Sequence, residues 1–156
     1  MKKYILLLLM LFLVGCSNDP NEGNTNGEAE TVVEEVKDTV ANVNGEKISL
    51  ETFTKYYAMQ SYDFEKEYGE GVWSIEQDGK TMKEIRQEQT INYLVRISLV
   101  EKYIMEKGFE VDEAIIEEAY NKYMDSIATD EEIKAYFEVN DLDKTFLKRF
   151  LKDQYY

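Results

Sequence analysis

Val40-Ala41-Asn42-Val43-Asn44-Gly45-Glu46-Lys47-Ile48-Ser49 is the stretch that decides how this chain folds. Asn44-Gly45 lies between two short apolar runs. Both residues tolerate positive φ, as a tight two-residue turn requires, so the stretch predicts a β-hairpin. Ser49 follows directly, and its hydroxyl suits a helix N-cap, with Glu51 favourable in the first turn. A short hairpin feeding a helix predicts a mainly α fold with a small β element at its entrance.

Downstream, the pattern stays helical. The first helix is predicted over residues 50–67, with Leu50, Phe53 and Tyr57 inward and Met59 and Phe64 beside them. Gly69-Glu70-Gly71 stops it. Residues 72–80 read as an irregular link holding Trp73. Thr81-Met82-Lys83-Glu84 has capping-box spacing and starts a long helix over residues 82–107, with Gly108 as its stop. The second half of this helix is apolar nearly all round, from Tyr93 to Met105, which predicts a central helix wrapped by neighbours. Asp112 caps a helix over residues 113–126. Thr129-Asp130-Glu131-Glu132 reads as another capping box, starting a short helix with Ile133, Tyr136 and Phe137 inward. A last helix over residues 142–154 carries Leu142, Phe146, Leu147, Phe150 and Leu151 at helical spacing. The total is about five helices around one long central helix.

Upstream lies a different kind of segment. Met1-Lys2-Lys3 is basic and Tyr4 to Val14 is almost unbroken apolar residues, too short to span a bilayer, which takes about 20. This is the pattern of a secretory signal peptide, residues 1–15. Leu13-Val14-Gly15-Cys16 looks like a bacterial lipobox, which implies that Cys16 becomes the lipidated N-terminus. Residues 16–38 are rich in Asn, Gly, Glu and Asp and bury little. They read as a disordered acidic tether with an r.m.s. reach of about 25 Å. The folded domain is placed at residues 39–156.

Composition narrows the chemistry. The 156 residues carry Lys+Arg 18 against Asp+Glu 32, a formal net charge of −14, and signal cleavage would remove two further lysines. Such a balance argues against nucleic acid, which needs clustered Lys and Arg, and against lying flat on anionic lipid. His is absent and Cys16 is the one Cys, so zinc, haem and iron–sulfur sites lose their usual ligands. Ser-His-Asp and Cys-His catalysis lose a required member. Acidic pairs such as Glu117/Glu118, Glu131/Glu132 and Asp141/Asp143 read as solvated helix faces, and Asp78-Gly79 lacks the other ligands of a calcium loop. No catalytic residue, metal or cofactor is assigned.

From Val40-Ala41-Asn42-Val43-Asn44-Gly45 through Ile48-Ser49 the chain resembles the N-terminal chaperone domain of the SurA/PrsA-type foldases, relatives of the trigger-factor chaperone region. Their pattern is V-A-x-V-N-G-x-x-I-S leading into a helix. The similarity continues through Ile91-Asn92-Tyr93-Leu94-Val95, through Lys107-Gly108-Phe109-Glu110-Val111-Asp112-Glu113, and to Asp141-Leu142-Asp143-Lys144-Thr145-Phe146. The resemblance implies binding of unfolded or nascent exported polypeptides. With the lipobox, it implies a lipid anchor on the extracytoplasmic face of a Gram-positive cell membrane. It leaves a homodimer open.

In the family a parvulin prolyl-isomerase module commonly follows, with His in its site. This sequence stops at Tyr156 without one. The expectation is a member without isomerase activity in this chain, or the front part of a longer isomerase whose last helix would pack poorly alone. A partner-docking structural lipoprotein is the third reading. For client binding the aromatic run Tyr56, Tyr57, Tyr62, Phe64, Tyr68 and Trp73 is singled out, because Tyr and Trp give large amphipathic contact at low entropy cost.

Overall fold

The structure is a computed structural model and describes residues 38–156. The readings of a signal peptide, of lipidation at Cys16 and of a tether to residue 37 lie outside the described residues. Strand β1 (Thr39–Val43) pairs antiparallel with β2 (Glu46–Ser49), with an irregularity between Thr39 and Ala41. The turn is the expected one. Asn44 and Gly45 have φ of 54° and 92°, and Asn42 Oδ1 accepts from the Gly45 N–H at 2.9 Å.

Ser49 caps α1 (Leu50–Tyr68), its hydroxyl accepting from the Thr52 N–H at 3.0 Å. A 3₁₀ turn (Glu70–Ser74) follows. The supposed irregular link then contains a second miniature hairpin, β3 (Glu76–Gln77) with β4 (Lys80–Thr81). Its turn is Asp78-Gly79, at φ of 54° and 80°. Asp-Gly is as good a turn signal as Asn-Gly.

The long helix α2 spans Met82–Glu106. Its capping box is complete: Thr81 Oγ1 accepts from the Glu84 N–H at 3.2 Å, and Glu84 Oε2 accepts from the Thr81 N–H at 2.7 Å. Those bonds hold the Glu84 carboxyl below its ordinary pKa. Thr81→Ala is expected to cost about 1 kcal/mol, measured by urea unfolding against wild type. At the other end Gly108 (φ 72°) donates to the Met105 carbonyl and Phe109 to that of Ile104, the reciprocal bonding of a Schellman stop.

Helices α3 (Glu113–Ser126), α4 (Glu131–Val139) and α5 (Lys144–Lys152) complete the set, with a terminal 3₁₀ turn (Asp153–Tyr155). The α4 cap is Asp130 rather than a Thr129 box. The Asp130 carboxylate accepts from the Glu132 and Ile133 N–H groups, both at 3.1 Å. An acid held by two backbone donors and the α4 dipole is a sufficient cap on its own.

The core joins β2 to α1, α2, α4 and α5 through Ile48, Tyr56, Tyr62, Leu94, Ile133, Phe137, Phe146 and Leu147. Tyr56 lies at its centre, with ring centroids 5.2 Å from Phe146, 5.8 Å from Phe150 and 5.9 Å from Tyr93. Three expectations change. The inward row of α1 is Tyr56, Ala58, Ser61 and Tyr62, while Leu50 is exposed, because α4 and α5 approach the flank one residue round from Tyr57.

Helix α2 is not wrapped along its length. Thr90, Leu94 and Ile97 are buried, yet Tyr103 is 61% exposed and Phe109, just beyond the helix, 69%. The reason is that α3 packs on α5. The last helix, finally, is well packed: Leu142, Phe146 and Leu147 are all in the core.

Candidate functional site

The aromatic run of α1 separates into two groups. Tyr56 and Tyr62 are buried in the core. A sealed ring cannot touch a client in this fold, so both leave the candidate surface. Tyr57, Phe64, Tyr68 and Trp73 form a continuous patch where α1 meets the 3₁₀ turn. Ring centroids are 6.1 Å apart for Tyr57 and Trp73, 5.5 Å for Phe64 and Trp73, and 4.9 Å for Phe64 and Tyr68. The Trp73 indole N–H donates to Glu65 Oε2 at 2.8 Å, and the Arg86 guanidinium sits 5.4 Å from the Phe64 ring. These contacts stiffen the patch from below. Its outer members remain open: Tyr68 is 58% exposed, and Ile75, two residues beyond Trp73 in the chain, 56%.

The sequence places these rings on one face by simple spacing. Tyr57, Phe64 and Tyr68 recur at i, i+7 and i+11, one stripe of an α-helix. Gly69, at φ 78°, ends the helix and turns the chain back so that Trp73 lies over that stripe.

A second surface was not legible beforehand. On the neighbouring flank of α1 lie two troughs, of about 700 Å³ and 480 Å³. They meet at the last turn of α4, where Val139 and Asn140 line both. The smaller has Tyr62, Tyr136 and Ala135 in its walls, with the Tyr62 and Tyr136 centroids 4.8 Å apart. Tyr136 donates to the Ala58 carbonyl at 3.0 Å, and burial pushes its pKa up to about 12, so it stays a neutral donor. Val139 is 85% exposed. Its position three residues beyond Tyr136 was a usable signal, an apolar residue outside the inward row of α4.

The one buried acid among the described residues is elsewhere. Asp153 is sealed beneath α5, where its Oδ2 accepts a short hydrogen bond from the Tyr56 hydroxyl and its Oδ1 accepts from Arg149 Nε at 3.2 Å. Arg149 in turn donates to Glu101 at 2.5 Å. Burial raises the Asp153 pKa, with the Tyr56 hydroxyl and Arg149 opposing it. A perturbed carboxyl can mark an active site. This one is only 4% exposed and its partners bind α1, α2 and α5 together, which is the arrangement of a fastening. Among the described residues no three His, Cys, Asp or Glu side chains are grouped to hold a metal, and no helix is long and apolar enough to cross a membrane.

A family model described as the SurA-like N-terminal domain matches residues 2–151. The chain belongs to that family. The SurA-like match covers both hairpins, all five helices and both surfaces described above except the last residues of the chain. Comparison with curated proteins and with solved structures returns no match.

Proposed function

We propose that this SurA-like domain is a holdase-type chaperone. It grips extended segments of exported polypeptides at the extracytoplasmic face of a Gram-positive cell membrane, tethered through lipid on Cys16. The observation that carries the reading is the open aromatic patch of Tyr57, Phe64, Tyr68 and Trp73, in a chain of a chaperone-type family. Aromatic rings offer apolar area with few rotamers to freeze, which suits clients of varied sequence. The proposal assigns no bond chemistry to the described residues.

The test uses the full chain in zwitterionic nanodiscs, added to a refolding client whose aggregation is followed by light scattering. Wild type at several-fold excess is expected to suppress scattering, and client binding to shift the emission of Trp73, the only Trp. The pair Tyr68→Ser and Ile75→Ser should lose most of the suppression. Both side chains are more than half exposed, so stability should stay within about 0.5 kcal/mol of wild type. Absence of suppression by wild type would overturn the proposal. Capture of a single stoichiometric folded partner would replace it with a docking role. Separately, Cys16→Ser should release the chain from the membrane fraction; continued membrane binding would refute the lipid anchor.

A further inference from the structure

The two troughs beside α1 have a consistent electrostatic character that the aromatic patch does not share. The larger is lined by the carboxylates Asp38, Glu51 and Asp141 against one cation, Lys55. The smaller is lined by Glu65, Glu70 and Glu132 against Lys66. Neither lysine is available to balance an occupant. Lys55 is held by Asp141 at 2.7 Å and Glu51 at 3.0 Å, and Lys66 by Asp130 at 3.3 Å and Glu132 at 3.6 Å. Between the acids the surface is apolar: Leu50, Val139 and the half-buried Tyr136.

We infer that these troughs form one docking path for an extended polypeptide segment that alternates apolar side chains with Lys or Arg. The inference rests on the proposed chaperone reading and names the class of segment it prefers. Acids among the apolar lining residues attract cationic side chains, and such charges act mainly through specificity and encounter rate. The apolar floor accepts the aliphatic stems of Lys and Arg as readily as it accepts Leu or Tyr. With three carboxylates against one lysine, each trough keeps a net negative lining that would repel an acidic segment. The chain's own charge of −14 disfavours a second copy of itself in the same place.

The experiment measures fluorescence anisotropy of labelled peptides on the full chain in zwitterionic nanodiscs, with empty discs as the blank. The peptides are about twelve residues long, enough to run the ~28 Å length of α1 when extended. They share two tyrosines and differ at two positions, which carry Arg, Gln or Glu. The Arg peptide is expected to bind about tenfold tighter than the Gln peptide at low salt, and the Glu peptide more weakly than either, with the spread narrowing at high salt.

The pair Glu70→Gln and Glu132→Gln should cut the Arg-to-Gln ratio about fivefold and leave the Gln peptide's Kd unchanged. Glu65 is left in place because it holds Trp73. The matched pair Glu106→Gln and Glu110→Gln, which line neither trough, should leave the ratio intact. Equal binding of Arg and Gln peptides overturns the inference while leaving the chaperone reading standing. Equal effects of the two variant pairs overturn it too, assigning the preference to overall charge. A dimer that peptide dissociates assigns the troughs to a second copy. If no peptide binds at all, the chaperone reading falls and this inference with it.

Discussion

Replacing Asp153 with alanine is expected to destabilise the folded domain by about 3 kcal/mol, read as a lowered urea midpoint at unchanged slope. The change strands two donors. The Tyr56 hydroxyl, in the middle of the core, loses its only acceptor, and Arg149 keeps Glu101 but loses its buried partner. An unpaired buried donor costs about 1–3 kcal/mol, and a broken buried ion pair somewhat more. Tyr56→Phe should cost about 1–2 kcal/mol, because it removes the donor and keeps the ring packing. Asp153→Asn tests the charge itself. The folded state raises the pKa of this carboxyl, so it holds its proton more tightly than the unfolded chain does. The stabilising contribution is then full below the unfolded pKa and is lost as pH rises through the folded one. Wild type should therefore gain on Asp153→Asn as pH falls from 7 toward 4. A gap that widens in the opposite direction would show that the Tyr56 and Arg149 bonds outweigh burial.

Phe146→Ala should cost about 4 kcal/mol, the larger of the two effects. Phe146 is buried, meets Tyr56 edge to face at 5.2 Å and lies 6.1 Å from Phe150, so removing it opens a void between α5 and α1 that neighbouring rings cannot close. Single domains are stable by about 5–15 kcal/mol in total, so this variant is expected to unfold at markedly lower urea. Phe109→Ala, by contrast, should cost less than about 0.5 kcal/mol, since that ring is mostly in solvent. Equal costs for the two would mean that the end of α2 is covered in solution. Both are read by circular dichroism during urea unfolding.

These contrasts show what sequence reasoning reaches. Helix starts were legible because caps are local chemistry: Ser49, Thr81 and Asp112 each accept backbone N–H groups within three residues of themselves. The hairpin at Asn44-Gly45 was legible for the same reason. Asp78-Gly79 carries the same turn signal, but its flanking strands are only two residues long, too short to show an alternating pattern.

The facing of α1 was not legible. Tyr56, Tyr57, Tyr62, Phe64 and Tyr68 surround the helix on several sides, so periodicity alone could not separate core from surface. That choice belongs to α4 and α5, which arrive some eighty residues later in the chain through Tyr136 on Ala58 and Phe146 on Tyr56. The flanking troughs were hidden for a further reason: their acids come from β1's approach, α1, the 3₁₀ turn after it, α4 and the α4–α5 turn, and only the fold brings them together.

Helix α2 is a single rod in geometry and two materials in mechanics. From Thr90 through Leu94 and Ile97 to Glu101, which Arg149 holds, it is clamped to the rest of the fold, whereas Tyr103 and Met105 in its last turn face solvent ahead of the Schellman lock at Gly108. The last turn is therefore expected to fray at lower cost than the turns before it. A solvent-facing hydrocarbon tip that loosens without loosening its root gives the molecule a compliant finger on a stiff knuckle.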